Sequence, residues 1–139
     1  MKKLSIVIPC YNEEETIYPF LKETQKVERQ MSDELFFDYY FINDGSSDKT
    51  LTVLREAAAR FENVHYLSFS RNFGKEAALL AGLEAVDGDL ITVMDADLQD
   101  PPELLIKMYS KLKQGYDVVG TRRADRKGEP FIRSLFAKT

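Results

Sequence analysis

Residues 89–102 read DLITVMDADLQDPP, and this stretch decides how the rest of the chain must be folded. Residues 89–94 are a short apolar run, and such a run closed by polar turn residues marks a buried strand rather than a helix. It breaks at Asp95-Ala96-Asp97. The proline pair Pro101-Pro102 then suits a first helical turn, where a missing N–H leaves no bond unmade. Leu104, Leu105, Met108 and Leu112 give that helix a buried stripe, and Gly115 ends it. Strand, acidic turn and helix in this order make one half of a strand–helix–strand unit.

The same beat repeats upstream. Residues 4–10 (LSIVIPC) predict a first strand, and residues 13–31 an amphipathic helix on Ile17, Phe20, Leu21 and Val27, with Pro19 limiting where its regular interior begins. Residues 36–43 (FFDYYFIN) predict a second strand, stopped by Asp44-Gly45-Ser46-Ser47-Asp48, where Ser47 or Asp48 is a candidate N-cap for a helix at 49–61. A third strand at 64–69 and a third helix at 75–86 follow. Downstream, residues 116–120 predict a fifth strand, and a basic loop at 121–127 leads to Phe131, Leu135 and Phe136. Parallel strands need crossover connections, so the alternation predicts an α/β fold: a mostly parallel sheet with helices on both faces. With no internal repeat or linker, residues 1–139 read as one domain.

Composition narrows the partners. A formal net charge of −4 gives no general reason to expect nucleic acid, which needs a basic face to displace counterions. Cys10 is the only cysteine, so no internal disulfide can form and a reducing compartment is the natural setting; the residue reads as a small apolar filler at a strand end. The apolar run after Met1-Lys2-Lys3 is interrupted from Pro9 onward, too early for an export signal. No uninterrupted apolar run approaches the length of a membrane span.

In open parallel sheets the ligand crevice lies beyond the carboxyl ends of the strands, where the strand order reverses. That rule selects residues 9–14, 44–48, 70–75 and 95–100. Asp95, Asp97 and Gln99 are spaced by two, so extended backbone would put all three side chains on one side. Carboxylates and an amide oxygen suit Mg2+ or Mn2+, with a diphosphate supplying further oxygens. A lone Asp-x-Asp is more often a surface turn; the strand before it and Gln99 after it favour the metal. Asp44 could accept hydrogen bonds from a nucleoside or merely close an Asx-type turn. Tyr11 could cover a base or ribose, with Pro9 and Glu13 at the rim, or simply pack. Arg71 and Lys75 flank Asn72-Phe73-Gly74 before a helix, where they face a diphosphate or form a solvated loop. Arg122, Arg123, Arg126 and Lys127 suit an anionic second substrate or a solvated charge run. His65 has no acidic or thiol partner at ligand spacing and receives no function.

Together the words IPCYNEEE (8–15), INDGSSDKT (42–50), SRNFGKEAAL (70–79), MDADLQDPPE (94–103) and GTRRADRKGE (120–129) resemble family 2 of the glycosyltransferases, and within it the polyprenyl-phosphate sugar transferases related to dolichyl-phosphate mannose synthase. They occur in family order over nearly the whole chain. The resemblance implies the Rossmann-like glycosyltransferase A-type fold. It places Pro9, Tyr11, Glu13 and Asp44 around the nucleoside, Asp95, Asp97 and Gln99 around Mg2+ or Mn2+, and Arg122 toward the phosphates of donor or acceptor. It further implies inverting transfer from a nucleoside-diphosphate sugar, UDP-linked by preference, to a polyprenyl phosphate for cell-envelope polysaccharide, at the cytoplasmic face of the membrane.

Family members continue well past the segment matching Thr139, so the chain is expected to be an amino-terminal, truncated part of a catalytic domain. The segments that meet the membrane would lie beyond it, and its open sheet edge could promote homo-oligomers. A truncated non-catalytic nucleotide-binding or interaction module is the alternative. A nucleotidyltransferase would carry a glycine-rich basic loop after the first strand, where residues 9–14 are acidic. A receiver domain would carry its acidic cluster near the first strand, not the fourth.

Overall fold

A computed structural model describes residues 1–116 in full and, beyond them, the backbone of the strands at 118–124 and 130–137. The described residues form one six-stranded sheet in the order β3-β2-β1-β4-β6-β5. β1 (Lys2–Cys10) is buried along almost its whole length, as a central strand covered on both faces must be. It pairs in parallel with β2 (Leu35–Asn43) on one side and β4 (Leu90–Val93) on the other, and β2 pairs in parallel with β3 (Val64–Ser68). The chain therefore steps outward from β1 to β3 and then crosses back over β1 to β4. The order reverses between β1 and β4, and a crevice opens at their carboxyl ends.

Helices cover both faces, as the sequence predicts. Leu4, Ile6 and Ile8 of β1 join a core with α1 (Ile17–Gln30), α2 (Thr50–Arg60) and α4 (Leu104–Lys113). The alternate residue Val7 faces the other way, with Ile42 and with Ala78 of α3 (Lys75–Ala85). α3 lies close on the sheet because Gly82 has no side chain: a Cβ there would sit 2.4 Å from Val7 Cγ1.

Three local expectations are corrected. α1 starts at Ile17, not near residue 13, because Pro19 has no N–H for the Glu15 carbonyl and its ring would strike it. Residues 13–16 form a turn instead, and the first helical bond runs from Phe20 N–H to Thr16 O at 2.9 Å. Neither Ser47 nor Asp48 occupies the N-cap of α2, which falls on Lys49. Asp48 still closes that turn: its Oδ1 accepts the Thr50 N–H at 2.9 Å. The expected basic loop at 121–127 is partly strand, since β5 spans Val118–Ala124 and pairs antiparallel with β6 (Pro130–Ala137), which in turn pairs antiparallel with β4. Arg122 and Arg123 thus stand on the β5 backbone. The side chains of both, and all of Arg126 and Lys127, lie outside the described residues.

Two polar networks lie away from the crevice, one across neighbouring strands of the sheet and one between the sheet and α1. Asp38, 4% exposed on the α3 side of β2, accepts a bond from His65 Nε2 at 2.8 Å, and Lys3 Nζ lies 3.9 Å from its other oxygen. His65 stacks on Tyr40, which accounts for it structurally. On the opposite face, Glu28 of α1 accepts the Tyr39 hydroxyl at 2.9 Å and the Asn63 amide at 3.2 Å. Burial pushes the Glu28 carboxyl above its ordinary 4.5, outweighing those two bonds, and burial likewise raises the Tyr39 phenol, which stays a neutral donor.

A carboxyl raised by folding costs nothing below its unfolded pKa and costs most above its folded one, so this group weakens the fold as pH rises through that window. Glu28→Gln removes the titration and keeps an acceptor for Tyr39. Urea midpoints measured at pH 4.5 and pH 7.5 should move in the variant's favour at the higher pH. A difference from wild type that ignores pH would refute this.

Candidate functional site

The four loops chosen from the sequence meet at the carboxyl ends of the parallel strands, and they are locked together by side chains. Asn12 sits in left-handed backbone (φ 53), a conformation that asparagine tolerates. Its N–H donates to Ser46 Oγ at 2.9 Å, and its Oδ1 accepts the Ser47 N–H at 2.8 Å. The Glu13 N–H donates to Thr50 Oγ1 at 2.9 Å, and the Glu14 N–H reaches Asp48 at 3.3 Å. The loop after β1 is thus latched onto the loop after β2. Asp48 is slightly lifted by burial, but the bonds from Thr50 and Glu14 outweigh this and hold its carboxyl below the usual range.

A second latch joins the loop after β2 to the loop after β3. Asp44, 4% exposed, accepts the Phe73 N–H at 2.7 Å, the Gly74 N–H at 3.0 Å and the Asn72 amide at 3.1 Å. Gly45 (φ 66) lies against backbone, and a Cβ there would fall 2.1 Å from the Arg71 carbonyl carbon. The loop ends in Gly74 (φ 103), and Lys75 opens α3 with its Nζ donating to Asp95 Oδ1 at 3.1 Å.

Within this frame lies an open cavity of about 220 Å³. Pro9, Tyr11, Glu13, Asp44, Lys75, Asp95 and Asp97 line it, together with Cys10, Ala78 and Ala96. Tyr11 is half exposed, so an aromatic face is available to a ligand. Burial raises the Cys10 thiol, with Glu13 and Asp95 adding to the effect, so Cys10 is a neutral wall and not a nucleophile.

Two predicted residues stand apart. Gln99 is exposed and is not among the lining residues. β4 has ended before Asp95, and Leu98 turns left-handed (φ 61), so the same-side alternation expected of extended backbone does not hold from 95 to 99. Instead the Gln99 N–H donates to Asp97 Oδ1 at 3.1 Å and fixes that carboxylate. Arg71 is also outside the lining set; its guanidinium lies 4.4 Å from the Phe73 ring centroid. Sequence reasoning missed Asn12, Ser46, Thr50 and Asn72 as loop locks.

The chemistry of the wall suits a hard cation and an anion together. Asp95 and Asp97 offer oxygen ligands, and no group of three His, Cys, Asp or Glu residues able to hold a metal occurs among the described residues. The donor set therefore fits Mg2+ or Mn2+ only if a ligand such as diphosphate completes the shell. Asp95 already attracts one cation, the Lys75 ammonium.

The sheet order and the acidic pair at its switch point agree with the glycosyltransferase A-type fold expected from the sequence. The model of glycosyl transferase family 2 matches residues 5–136, and the chain belongs to that family. It is 44% identical over 140 residues to an undecaprenyl-phosphate 4-deoxy-4-formamido-L-arabinose transferase of Photorhabdus laumondii, covering 100% of this chain and 41% of the relative. It is 47% identical over 136 residues to the putative glycosyltransferase CsbB of Bacillus subtilis, covering 96% and 40%. The chain thus spans about two-fifths of the length of these curated relatives.

Among solved structures, the mannosyltransferase PcManGT of Pyrobaculum calidifontis, in complex with GDP-Man and Mn2+, superposes with a TM-score of 0.74 at 18% identity, over 98% of this chain and 44% of that one. Glucosyl-3-phosphoglycerate synthase of Mycobacterium tuberculosis, in complex with UDP, gives 0.68 at 22% identity, over 90% and 46%. At such identities the likeness is one of fold.

Proposed function

We propose that this chain forms the donor site of a metal-dependent glycosyltransferase that moves a sugar from a nucleoside-diphosphate donor, UDP-linked by preference, to a polyprenyl phosphate. The observation that carries this is the cavity wall, which sets Asp95 and Asp97 beside the Lys75 ammonium at the switch point of the sheet. The undecaprenyl-phosphate substrate named for the Photorhabdus relative supports the choice of acceptor.

In this reading Pro9, Tyr11 and Glu13 border the nucleoside, and Asp95 and Asp97 hold Mg2+ or Mn2+ against the diphosphate. The ion, when bound, neutralises charge that builds on the leaving group. An acceptor phosphate oxygen attacks the anomeric carbon, and the bond from that carbon to the diphosphate breaks with its electron pair on the departing oxygen. Configuration is inverted. A phosphate is already ionised at neutral pH, so no strong base is required of the protein. With a cation held by Asp95 and Asp97, the Lys75 ammonium, which pairs with Asp95 in the free protein, would be released to meet the diphosphate. Arg122, on β5, is assigned to the phosphates of donor or acceptor. The lipid acceptor would hold the working protein at the cytoplasmic face of a membrane, although no helix among the described residues is long and apolar enough to cross one.

Lys75→Ala tests the phosphate contact. Calorimetric titration in Mn2+ should show UDP binding weakened about tenfold, the value of one charge-assisted contact, with uridine binding unchanged. Undiminished UDP affinity would remove Lys75 from the site.

A further inference from the structure

Among the described residues, those other than glycine that take left-handed backbone are Asn12 and Leu98, and both stand in crevice loops. Asparagine tolerates that conformation, whereas a bulky side chain such as leucine resists it. Leu98 (φ 61) is thus held against its own preference, one residue after Asp97. Backbone of this kind persists only where surrounding contacts outweigh its cost, and it gathers at functional sites.

The outweighing contacts are apolar. Ala96 is 1% exposed in the main core, and the partly buried Leu98 packs against the same core, which includes Met94 and Leu105. The residues on either side of Asp97 are therefore both anchored inward, while Asp97 itself is exposed on the cavity wall. The reversal has little room to fall elsewhere. β4 ends at Val93, and the carbonyls of Pro101 and Pro102 already accept the Leu104 and Leu105 N–H groups at 3.0 Å each, as α4 begins. Asp100 precedes a proline, which disfavours helical backbone there. With the chain turned at Leu98, the Gln99 N–H points back to Asp97 Oδ1 at 3.1 Å. A glycine would make the same turn without strain, but it would give the core nothing to hold.

We propose that Leu98 is a positioning residue: its side chain, seated against the core, holds the strained turn that fixes the Asp97 carboxylate in the cavity wall for the divalent ion. This rests on the donor-site reading above and deepens it by naming what keeps the metal loop in place.

The readout is the gain in UDP affinity that Mn2+ brings, measured by titration calorimetry with and without the ion. Leu98→Gly frees the backbone and removes the anchor. It should still unfold cooperatively, because relief of the left-handed strain offsets part of the lost packing, while the Mn2+ gain falls about tenfold or more, the scale of losing the support behind a metal ligand. Leu98→Met keeps an apolar anchor of similar size and should retain most of the gain. In the ligand-free protein, amide hydrogen exchange at Gln99 should quicken in Leu98→Gly and stay near wild type in Leu98→Met. Leu98→Asn, which suits left-handed backbone but has no apolar anchor, should behave as Leu98→Gly and serves if that variant does not fold.

A Leu98→Gly protein with a lowered urea midpoint but an undiminished Mn2+ gain would reduce Leu98 to core filling and overturn the proposal. Should the wild-type chain show no Mn2+ gain at all, the donor reading fails. Exchange at Gln99 alone then decides the anchor: faster exchange in Leu98→Gly upholds it and unchanged exchange overturns it.

Discussion

Gly45→Ala is expected to destabilise the fold by about 2–5 kcal/mol, the sum of roughly 1–2 kcal/mol for a side chain in left-handed backbone and about 1–3 kcal/mol for overpacking. The φ of 66° sets the first contribution. The second arises because the new Cβ would meet the Arg71 carbonyl carbon at 2.1 Å, the Asn72 nitrogen at 2.3 Å and the Arg71 oxygen at 2.6 Å. All three are backbone atoms, so no rotamer change can relieve the clash. The loops after β2 and β3 must part, and the bonds from Asp44 to Phe73 and Gly74 part with them. A urea midpoint that drops without a change in slope would register the effect. A loss under about 1 kcal/mol would mean that the two loops are not packed as described.

Asp97→Asn should separate ligand binding from stability. The substitution keeps the size of the side chain and an oxygen for the Gln99 N–H, so the local turn can persist. Asp97 is exposed and shares the cavity wall with Asp95, so removing one charge should leave the ligand-free protein as stable or slightly more so. In the proposed site a hard divalent ion would lose one of two protein carboxylates, and Mn2+-dependent nucleotide affinity should fall by on the order of a hundredfold. Titration calorimetry reads the affinity and thermal unfolding without ligand reads the stability. An unchanged Mn2+ effect on binding would exclude Asp97 as a ligand.

Much of this was legible from composition and spacing. The parallel strands announced themselves because a strand buried on both faces must be apolar nearly throughout, as residues 4–8 are. The four crevice loops followed from topology alone. β6 was not legible, since PFIRSLFA carries no period that distinguishes a strand from a short helix, and its partner β4 lies some forty residues away in sequence. The start of β5 was, but its continuation through Thr121, Arg122 and Arg123 was not, because edge strands admit charges that composition reads as loop.

The site divides in the same way. Asp95, Asp97 and Glu13 could be picked out because charged residues just past strand ends are unusual enough to need a reason, and Lys75 because it stands where a crevice loop enters a helix. The latches could not. Asn12 and Ser46, or Asp44 and Phe73, are about thirty residues apart, and each read alone is an ordinary turn former. Arg71 misled for a related reason: sequence spacing paired it with Lys75, whereas its guanidinium finds the Phe73 ring two residues on.

The central claim, that this chain binds a nucleoside diphosphate together with a divalent ion, is tested most directly by thermal unfolding with UDP, with GDP, and with each plus Mn2+. Ligands that prefer the native state raise its stability. A working donor site gives a rise in the midpoint with UDP and Mn2+ together that exceeds the sum of their separate effects and is lost in Asp97→Asn. A cooperative transition at the same temperature in every mixture would contradict it.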